Sequence, residues 1–333
     1  MDLSIIVPVY NVEKYIKPCI ESIFKQGLDD TDFEVIIVND GTEDRSMEMI
    51  ADIIQQHSNI TIINQENLGL SAARNNGIVA AKGKYILMLD SDDLLIENSV
   101  KPILKKAIET NVDLIVADFL SMTDEEIEKI DKEGFKQPEL QFQNGDGEQL
   151  FLKVLNPHYC YVWRALYRKE FLVTQNLAFY PGILYEDIPF THECYLKANR
   201  YIKANSLLYI YRRRACSLTN AYKIENSKDF IIAISKTWEL RQIKGISPNA
   251  LYKLEEDIYA LFRLMIYHTI YIARKTSERN YIIDYLNDNL PTLNFTHGIQ
   301  QRFITLMVKR MPHLFINLYY QYAQIAYKRR YLK

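Results

Sequence analysis

KGKYILMLDSDDLL, residues 82–95, decides how the chain reads: an apolar run from Tyr85 to Leu89 empties into Asp90, Ser91, Asp92 and Asp93. A short apolar run bounded by turn signals is the mark of a strand buried on both faces. Three carboxylates in four positions at its end resist joint ionisation, because neighbouring like charges raise one another's pKa. A positive partner is therefore expected beside them. A divalent cation with oxygen ligands answers the need, and such cations also grip phosphate oxygens. Capping of a helix that begins near Glu97 is the competing reading, since Asp and Ser both cap well.

The same pattern recurs outward from this stretch. Leu3 to Val9, Val35 to Val38, Ile60 to Ile63 and Leu114 to Ala117 are short apolar runs. Between them, apolar residues fall three and four apart, as in Ile16, Ile20, Ile23 and Phe24, or Met49, Ile50, Ile53 and Ile54. Buried strands alternating with helices predict an α/β domain, a mainly parallel Rossmann-like sheet with helices on both faces and right-handed crossovers, over residues 1–120. Ligands of such sheets bind beyond the carboxyl ends of the strands. Those ends are Pro8 to Asn11, Asn39 to Gly41, Asn64 to Gly69 and the acid cluster. Loops are polar in any protein, but Asp40 and Asp92 ending neighbouring segments points further, to one carboxylate for a base N–H and a cluster for metal and phosphate. Neither GxGxxG after the first strand nor GxxxxGK[ST] anywhere is present, which removes the dinucleotide and P-loop readings.

Composition sets outer bounds. With 333 residues, 48% of them hydrophobic and 25% charged, the chain suits about two globular domains. Cys19, Cys160, Cys194 and Cys216 form no CxxC pair, so they read as reduced thiols. The first strand starts almost at once and no apolar stretch reaches the roughly 18 residues of a membrane span, so a protein kept on the cytoplasmic side is expected.

Four strings, IIVPVYN at 5–11, VNDGTEDRS at 38–46, NLGLSAARNNGI at 67–78 and GKYILMLDSDD at 83–93, resemble family 2 glycosyltransferases of the GT-A fold. PGILYEDIPF at 181–190 is similar to that family's acidic catalytic segment, and YRRRACSLTN at 211–220 to the stretch that often follows it. The resemblance covers residues 1–220, as a nucleotide-binding half, 1–120, and an acceptor and catalytic-base half, 151–220. It implies an inverting enzyme that uses a UDP-sugar donor and Mn2+ or Mg2+. By the same resemblance Asp40 binds the uracil ring, Pro8 and Tyr10 line the nucleoside pocket, Arg74 approaches the nucleotide, Asp90 is the first acid of the metal-bridging motif, and Asp92 or Asp93 is the metal ligand, with Asp92 first. Glu43 and Arg45 depart from the family's usual residues, at a helix start where no loss of activity is expected.

Beside the name, the residues at 182–190 have their own logic. Gly182 suggests a turn, and Ile188, Pro189 and Phe190 offer an apolar wall. A carboxylate at such a wall suits a general base, because partial desolvation lifts its pKa toward the working pH. The resemblance selects Asp187, with Glu186 as the alternative base or as the group that orients the acceptor. A solvated helix start is the bland reading of this pair. Trp163 suits either a sugar platform or the core. Of Arg212, Arg213 and Arg214, successive residues of one strand or loop, at most two face one site; one, taken as Arg212, pairs with diphosphate oxygens.

Residues 121–150 are polar and read as an insertion or flexible excursion. Residues 221–333 read as helical throughout, and 15 of the 24 tyrosines lie after residue 200, without a signature for nucleic acid. From His297 to Lys333 there are seven Lys or Arg and no Asp or Glu. Ile299, Phe303, Ile304, Met307, Met311, Leu314, Phe315, Leu318, Tyr322 and Ile325 recur there at helical spacing, with Pro312 expected to kink or divide the helix. Such a basic amphipathic segment can lie on an anionic membrane, here the inner face of the cell membrane. Packing on the catalytic domain or on a second copy, as a homodimer, is the alternative. A saccharide or lipid-linked saccharide acceptor in cell-surface polysaccharide synthesis follows from the resemblance. Two other functions compete with it: a phosphatase with an aspartyl nucleophile in DSDD, where Leu94 and Leu95 replace the small hydroxyl residue expected, and a catalytically silent membrane-surface binding module, where a damaged acid set is expected.

Overall fold

The computed structural model describes residues 1–133, 136–214, 224–272, 275–289, 293, 295 and 298–331. Among the described residues, nine strands form one sheet: β1 (Leu3–Val9), β2 (Phe33–Asp40), β3 (Ile60–Gln65), β4 (Tyr85–Met88), β5 (Leu94–Leu95), β6 (Leu114–Met122), β7 (Phe142–Asp146), β8 (Ala165–Arg168) and β9 (Arg200–Arg212). Their order is β3-β2-β1-β4-β8-β6-β9-β5, with β7 also on β9. All seven residues of β1 are buried, as a strand covered by helices on both faces requires. The strand pairs β3-β2, β2-β1 and β1-β4 are parallel. The order therefore reverses on either side of β1, and the carboxyl ends of β1 and β4 are the switch point at which sheets of this kind take their ligands.

The rest of the sheet is mixed. β8 runs antiparallel between β4 and β6, and β6 is parallel to β9. β1 to β4, β6 and β9 therefore run the same way, as the apolar runs led one to expect, and β8, β5 and β7 are the antiparallel strands. β8 escaped the pattern because its apolar part, Ala165 to Tyr167, is three residues between Arg164 and Arg168.

The polar stretch at 121–150 is not an excursion. It contains the end of β6, a helix at Asp124–Glu133, strand β7 and a helix at Gly147–Lys153. β7 pairs antiparallel with the first five residues of β9, and β5 with Leu94↔Ile210 and Leu95↔Tyr209. Edge strands are held by backbone hydrogen bonds and can carry polar side chains, so QNGD gave no apolar signal.

Two compact units divide the chain. The first comprises Met1–Lys153, Tyr161–Gly182 and Cys194–Ser217; the second comprises Val154–Cys160, Ile183–Glu193 and Leu218–Lys333. In the second, helices at Ile224–Glu239, Pro248–Ile272, Thr276–Asn289, Ile299–Arg310 and Pro312–Tyr331 follow one another. Ile258, Leu261, Phe262, Met265 and Ile266, which fall three and four apart, are all buried. Met311 caps the helix that ends at Arg310 and Pro312 opens the next, so the segment divides at the proline. No described helix is long and apolar enough to cross a membrane.

Candidate active site

The four strings singled out by sequence sit at the carboxyl ends of β1, β2 and β4 and on the helix after β3. Asp40 is the last residue of β2 and is buried. Its carboxylate accepts hydrogen bonds from Gln65 Nε2 at 2.7 Å, the Leu68 N–H at 2.8 Å and the Gly69 N–H at 3.0 Å. Gly69 has φ of +85°, a left-handed conformation that glycine adopts without strain, and it opens the helix Leu70–Ala80. An ionised carboxylate has about four acceptor positions, so three donors leave Asp40 about one for a ligand.

That helix explains the AARNNG string residue by residue. A Cβ on Gly77 would lie 2.4 Å from Ile6 Cγ2, so only glycine lets the helix come this close to β1. Arg74, almost fully buried, pairs through Nη2 with Asp90 Oδ1 at 2.6 Å and lies over the Phe179 ring at 5.2 Å. Asn75 exchanges two 2.9 Å hydrogen bonds with the Phe179 backbone. Asn76 Nδ2 donates to Gln65 Oε1 at 2.7 Å and so steadies the group that donates to Asp40. Pro8 is buried in β1 and pairs with Val38, while Tyr10 is 43% exposed at the strand's end.

The acidic turn splits into two parts. Asp93 is 1% exposed and accepts from the Tyr209 hydroxyl at 2.8 Å and from the Arg212 N–H at 2.7 Å. Burial, then the charges of Asp92 and Asp90, push its pKa well above the usual carboxylate range. Asp90 and Asp92 keep side chains 26% and 21% exposed. Asp92 pairs with the Arg214 guanidinium. Burial and the neighbouring Asp90 charge raise its pKa, against the pull of Arg214. None of the acids caps a helix: the next one, Val100–Thr110, has Ser99 as its N-cap, so that reading is withdrawn.

The three arginines alternate as a strand end dictates. Arg212 and Arg214 both lie over the Tyr15 ring, at 5.3 and 4.8 Å, whereas Arg213 turns away to Glu126 at 2.8 Å. Arg212 is occupied by Asp124 and by the Asp92 carbonyl, which its Nε meets at 2.9 Å. Arg214, rather than Arg212, faces the outward carboxylate. Ser217 and Thr219 of the same string lie outside the described residues.

Trp163 is a core residue. It is 2% exposed and stacks on Tyr209 at 4.0 Å and on Tyr161 at 4.6 Å, with Phe119 edge-on at 5.0 Å. It cannot offer a face to a sugar, because both are covered. Sequence reasoning also missed Tyr209 and Tyr15. The first could have been found from period 2 along β9, since Tyr209 shares a face with Tyr211; nothing marked the second.

Near the loops of β1 and β2, Asp44 accepts from Thr42, from Ser46 and from the Glu13 N–H. Burial pushes its carboxyl upward, and these hydrogen bonds outweigh it, leaving the pKa below its ordinary value. Glu43 and Arg45 beside it are exposed.

Gly182, the last residue of its stretch of the first unit, has φ of +76°, the turn expected of it, and in the second unit Tyr185 has φ of +67°. Glu186 is buried and Asp187 half-buried, the latter opening the helix Asp187–Lys197. Among the described residues no group of three His, Cys, Asp or Glu side chains is arranged to hold a metal on its own.

Residues 4–173 match the profile described as "Glycosyl transferase family 2". The chain belongs to glycosyl transferase family 2. It is 37% identical over 223 residues to glycosyltransferase EpsJ of Bacillus subtilis, covering 65% of this chain and 62% of that one. With glycosyltransferase GlyA of Streptococcus pneumoniae it shares 31% identity over 268 residues, covering 79% of this chain and 37% of the relative. The chain thus spans less than two thirds of either protein. The crystal structure of S. aureus TarS 1–349 has the same fold, with a TM-score of 0.74 at 20% identity, covering 100% of this chain and 93% of that one. The phosphatase reading of DSDD ends here.

Proposed function

We propose that the protein is an inverting glycosyltransferase that moves a sugar from a UDP-sugar donor to a saccharide or lipid-linked saccharide acceptor in cell-surface polysaccharide synthesis. The observation that carries this reading is the division of the acidic turn. Asp93 is committed inside the sheet to Tyr209 and Arg212, whereas Asp90 and Asp92 keep partly exposed side chains at the strand-switch edge. TarS structures in complex with UDP and with UDP-GlcNAc share the fold, which supports a uridine donor here.

In this reading Asp40 uses its remaining acceptor position for the uracil N–H, beside Pro8 and Tyr10. Arg74 acts on the nucleotide by fixing the Asp90 carboxylate. Asp90 and Asp92 fit a divalent cation: both are hard oxygen donors, they lie two residues apart, and the charge of one destabilises the other. Bound Mn2+ or Mg2+ would neutralise the departing diphosphate. Asp93, spent on β9, is left out of that ligand set. Arg214, and Arg212 behind it, supply positive charge at the diphosphate, for which the forked guanidinium is suited. Asp187 takes the proton of the acceptor hydroxyl as it attacks, and Glu186 orients that acceptor.

A panel of UDP-sugars with Mn2+ tests the donor. UDP or one of the UDP-sugars should raise the melting temperature, and UDP should be released in the presence of acceptor; no protection and no UDP across the panel would sink the reading.

The tail extends the proposal to an anionic membrane surface, on the cytoplasmic side where UDP-sugars are used. Ile299, Phe303, Leu306, Leu314, Leu318 and Tyr322 are exposed apolar side chains in a segment without acids, and Arg302, Lys309 and Arg310 are exposed beside them. Val308 and Ile316 face inward, so the exposed groups are surplus to the unit's own core. Phe303→Glu with Leu314→Glu should abolish co-sedimentation with phosphatidylglycerol vesicles while leaving the melting temperature unchanged. Undiminished sedimentation, or a dimer in light scattering that the same changes dissociate, would refute the membrane in favour of another occupant.

A further inference from the structure

The turn before Asp187 is held in an unfavourable backbone conformation. Tyr185, a bulky non-glycine residue, has φ of +67°. Such a residue in the left-handed region is strained and persists only where its surroundings over-determine it. Two neighbouring residues of the helix Ile224–Glu239 do so. Phe230, 1% exposed, stacks on the Tyr185 ring with centroids 4.5 Å apart and planes 22° apart. Asp229 Oδ2 accepts the Leu184 N–H at 3.2 Å.

The local geometry ties this strain to the acidic pair. The Tyr185 carbonyl accepts the Ile188 N–H at 3.2 Å, closing the turn that delivers Glu186 and Asp187 to the helix start. Gly182, at φ of +76°, bends the chain into the same segment. A second tie acts one helical turn on. His192, fully buried, places Nδ1 2.8 Å from the Ile188 carbonyl and Nε2 3.7 Å from Asp257 of the helix Pro248–Ile272.

We infer that Asp229 and Phe230 are positioning residues that hold Leu184 and Tyr185 in the strained turn and thereby aim the carboxylate of Asp187. The inference rests on the reading of Asp187 as the base. Neither residue touches a reacting atom: each acts through the backbone conformation of the segment. Relaxation of Tyr185 to an ordinary φ would rotate the following peptide and swing Asp187 away from its direction. Misplacement by an ångström far from the chemistry lowers turnover by on the order of 100-fold.

Three variants test this without requiring the fold to fail. Tyr185→Gly keeps the left-handed conformation accessible but removes the stacked ring. Asp229→Ala removes the acceptor for the Leu184 N–H, and Asp229→Asn restores an acceptor oxygen. The direct readout is hydrogen exchange of the Leu184 and Ile188 amides in the ligand-free protein, with the helix Pro248–Ile272 as internal reference. Exchange should quicken for Tyr185→Gly and Asp229→Ala, and Asp229→Asn should return toward the parent. UDP release from UDP-glucose, UDP-galactose and UDP-N-acetylglucosamine with Mn2+ gives the second readout: kcat should fall by roughly 10- to 100-fold for the first two variants with KM for the donor unchanged. Parent-like exchange and parent-like kcat in both would overturn the inference, as would losses that track melting temperature alone. Asp187→Asn separates the two claims. An inactive Asp187→Asn beside fully active Tyr185→Gly and Asp229→Ala removes the clamp and leaves the base, whereas an active Asp187→Asn removes the base itself.

Discussion

The turn Asp90–Asp93 and the segment Gly182–Asp187 each present carboxylates, and they do it by opposite means. At the first, side chains decide: Arg74 and Arg214 balance the outward acids, and Tyr209 with the Arg212 N–H satisfies the inward one. At the second, the backbone decides: two positive-φ residues and a stacked ring set the direction of the chain. Charge in the first is distributed among partners, so removing one group changes a balance. Direction in the second depends on geometry, so removing one contact changes a position.

The largest expected effect tests whether the second segment carries chemistry at all. Asp187→Asn keeps size and shape but removes the proton acceptor, so transfer should fall by roughly 10²–10⁴-fold, the usual worth of a general base. Binding of UDP with Mn2+, measured by calorimetry, should stay as in the parent. Normal turnover would erase the contrast, because the segment would then be an ordinary helix start.

The next effect divides the acidic turn internally. Asp92→Ala should remove the Mn2+-dependent part of UDP binding and leave the fold intact, since its carboxylate is outward and its Arg214 partner can reach solvent. Asp93→Ala should do the reverse in kind. It strands the Tyr209 hydroxyl and the Arg212 N–H, both buried, at about 1–3 kcal/mol for each unsatisfied group. A thermal melt should register a drop for Asp93→Ala and none for Asp92→Ala; equal melts would mean that the two acids are not differently used. Asp93→Asn, which keeps an acceptor oxygen, should recover most of the loss.

How much of this could be read in the sequence follows the same division. β1, β2 and β4 were legible because buried parallel strands are apolar on both faces, and β3 because Ile60 to Ile63 is an apolar run although none of its residues is buried; the strand ends flagged Asp40 and the acids, and the family resemblance flagged Arg74. β7 and β8 were hidden, one polar because it is an edge and the other an apolar run of only three residues between two arginines. Within the site, carboxylates advertise themselves by clustering, but their partners do not: Tyr209 lies over a hundred residues from Asp93, and Arg214 differs from Arg212 only by which way the strand end turns. The strain at Tyr185 had no signal, because a bulky residue is what propensity would least assign to a left-handed turn. Trp163 shows the converse: an aromatic residue near a sugar-binding motif is consistent with a platform until the packing on both of its faces is known.

The smallest expected effect concerns the two departures from the family pattern beside Asp44. Arg45 pairs with Glu48 at 2.8 Å, but the side chains are 71% and 69% exposed, where solvent screens the attraction and ordering two long side chains opposes it. Glu43 is likewise exposed. Glu43→Ser and Arg45→Gly should therefore leave UDP binding and turnover within experimental error of the parent. Asp44→Ala, between them, is the sensitive control, because the Glu13 N–H and the Ser46 N–H lose their acceptor together and the loops after β1 and β2 are no longer tied. Its melting temperature should fall where the flanking changes leave it alone. A loss of nucleotide affinity in Arg45→Gly equal to that in Asp44→Ala would show that this loop reads the donor through its surface charges as well as through its hydrogen-bonded frame.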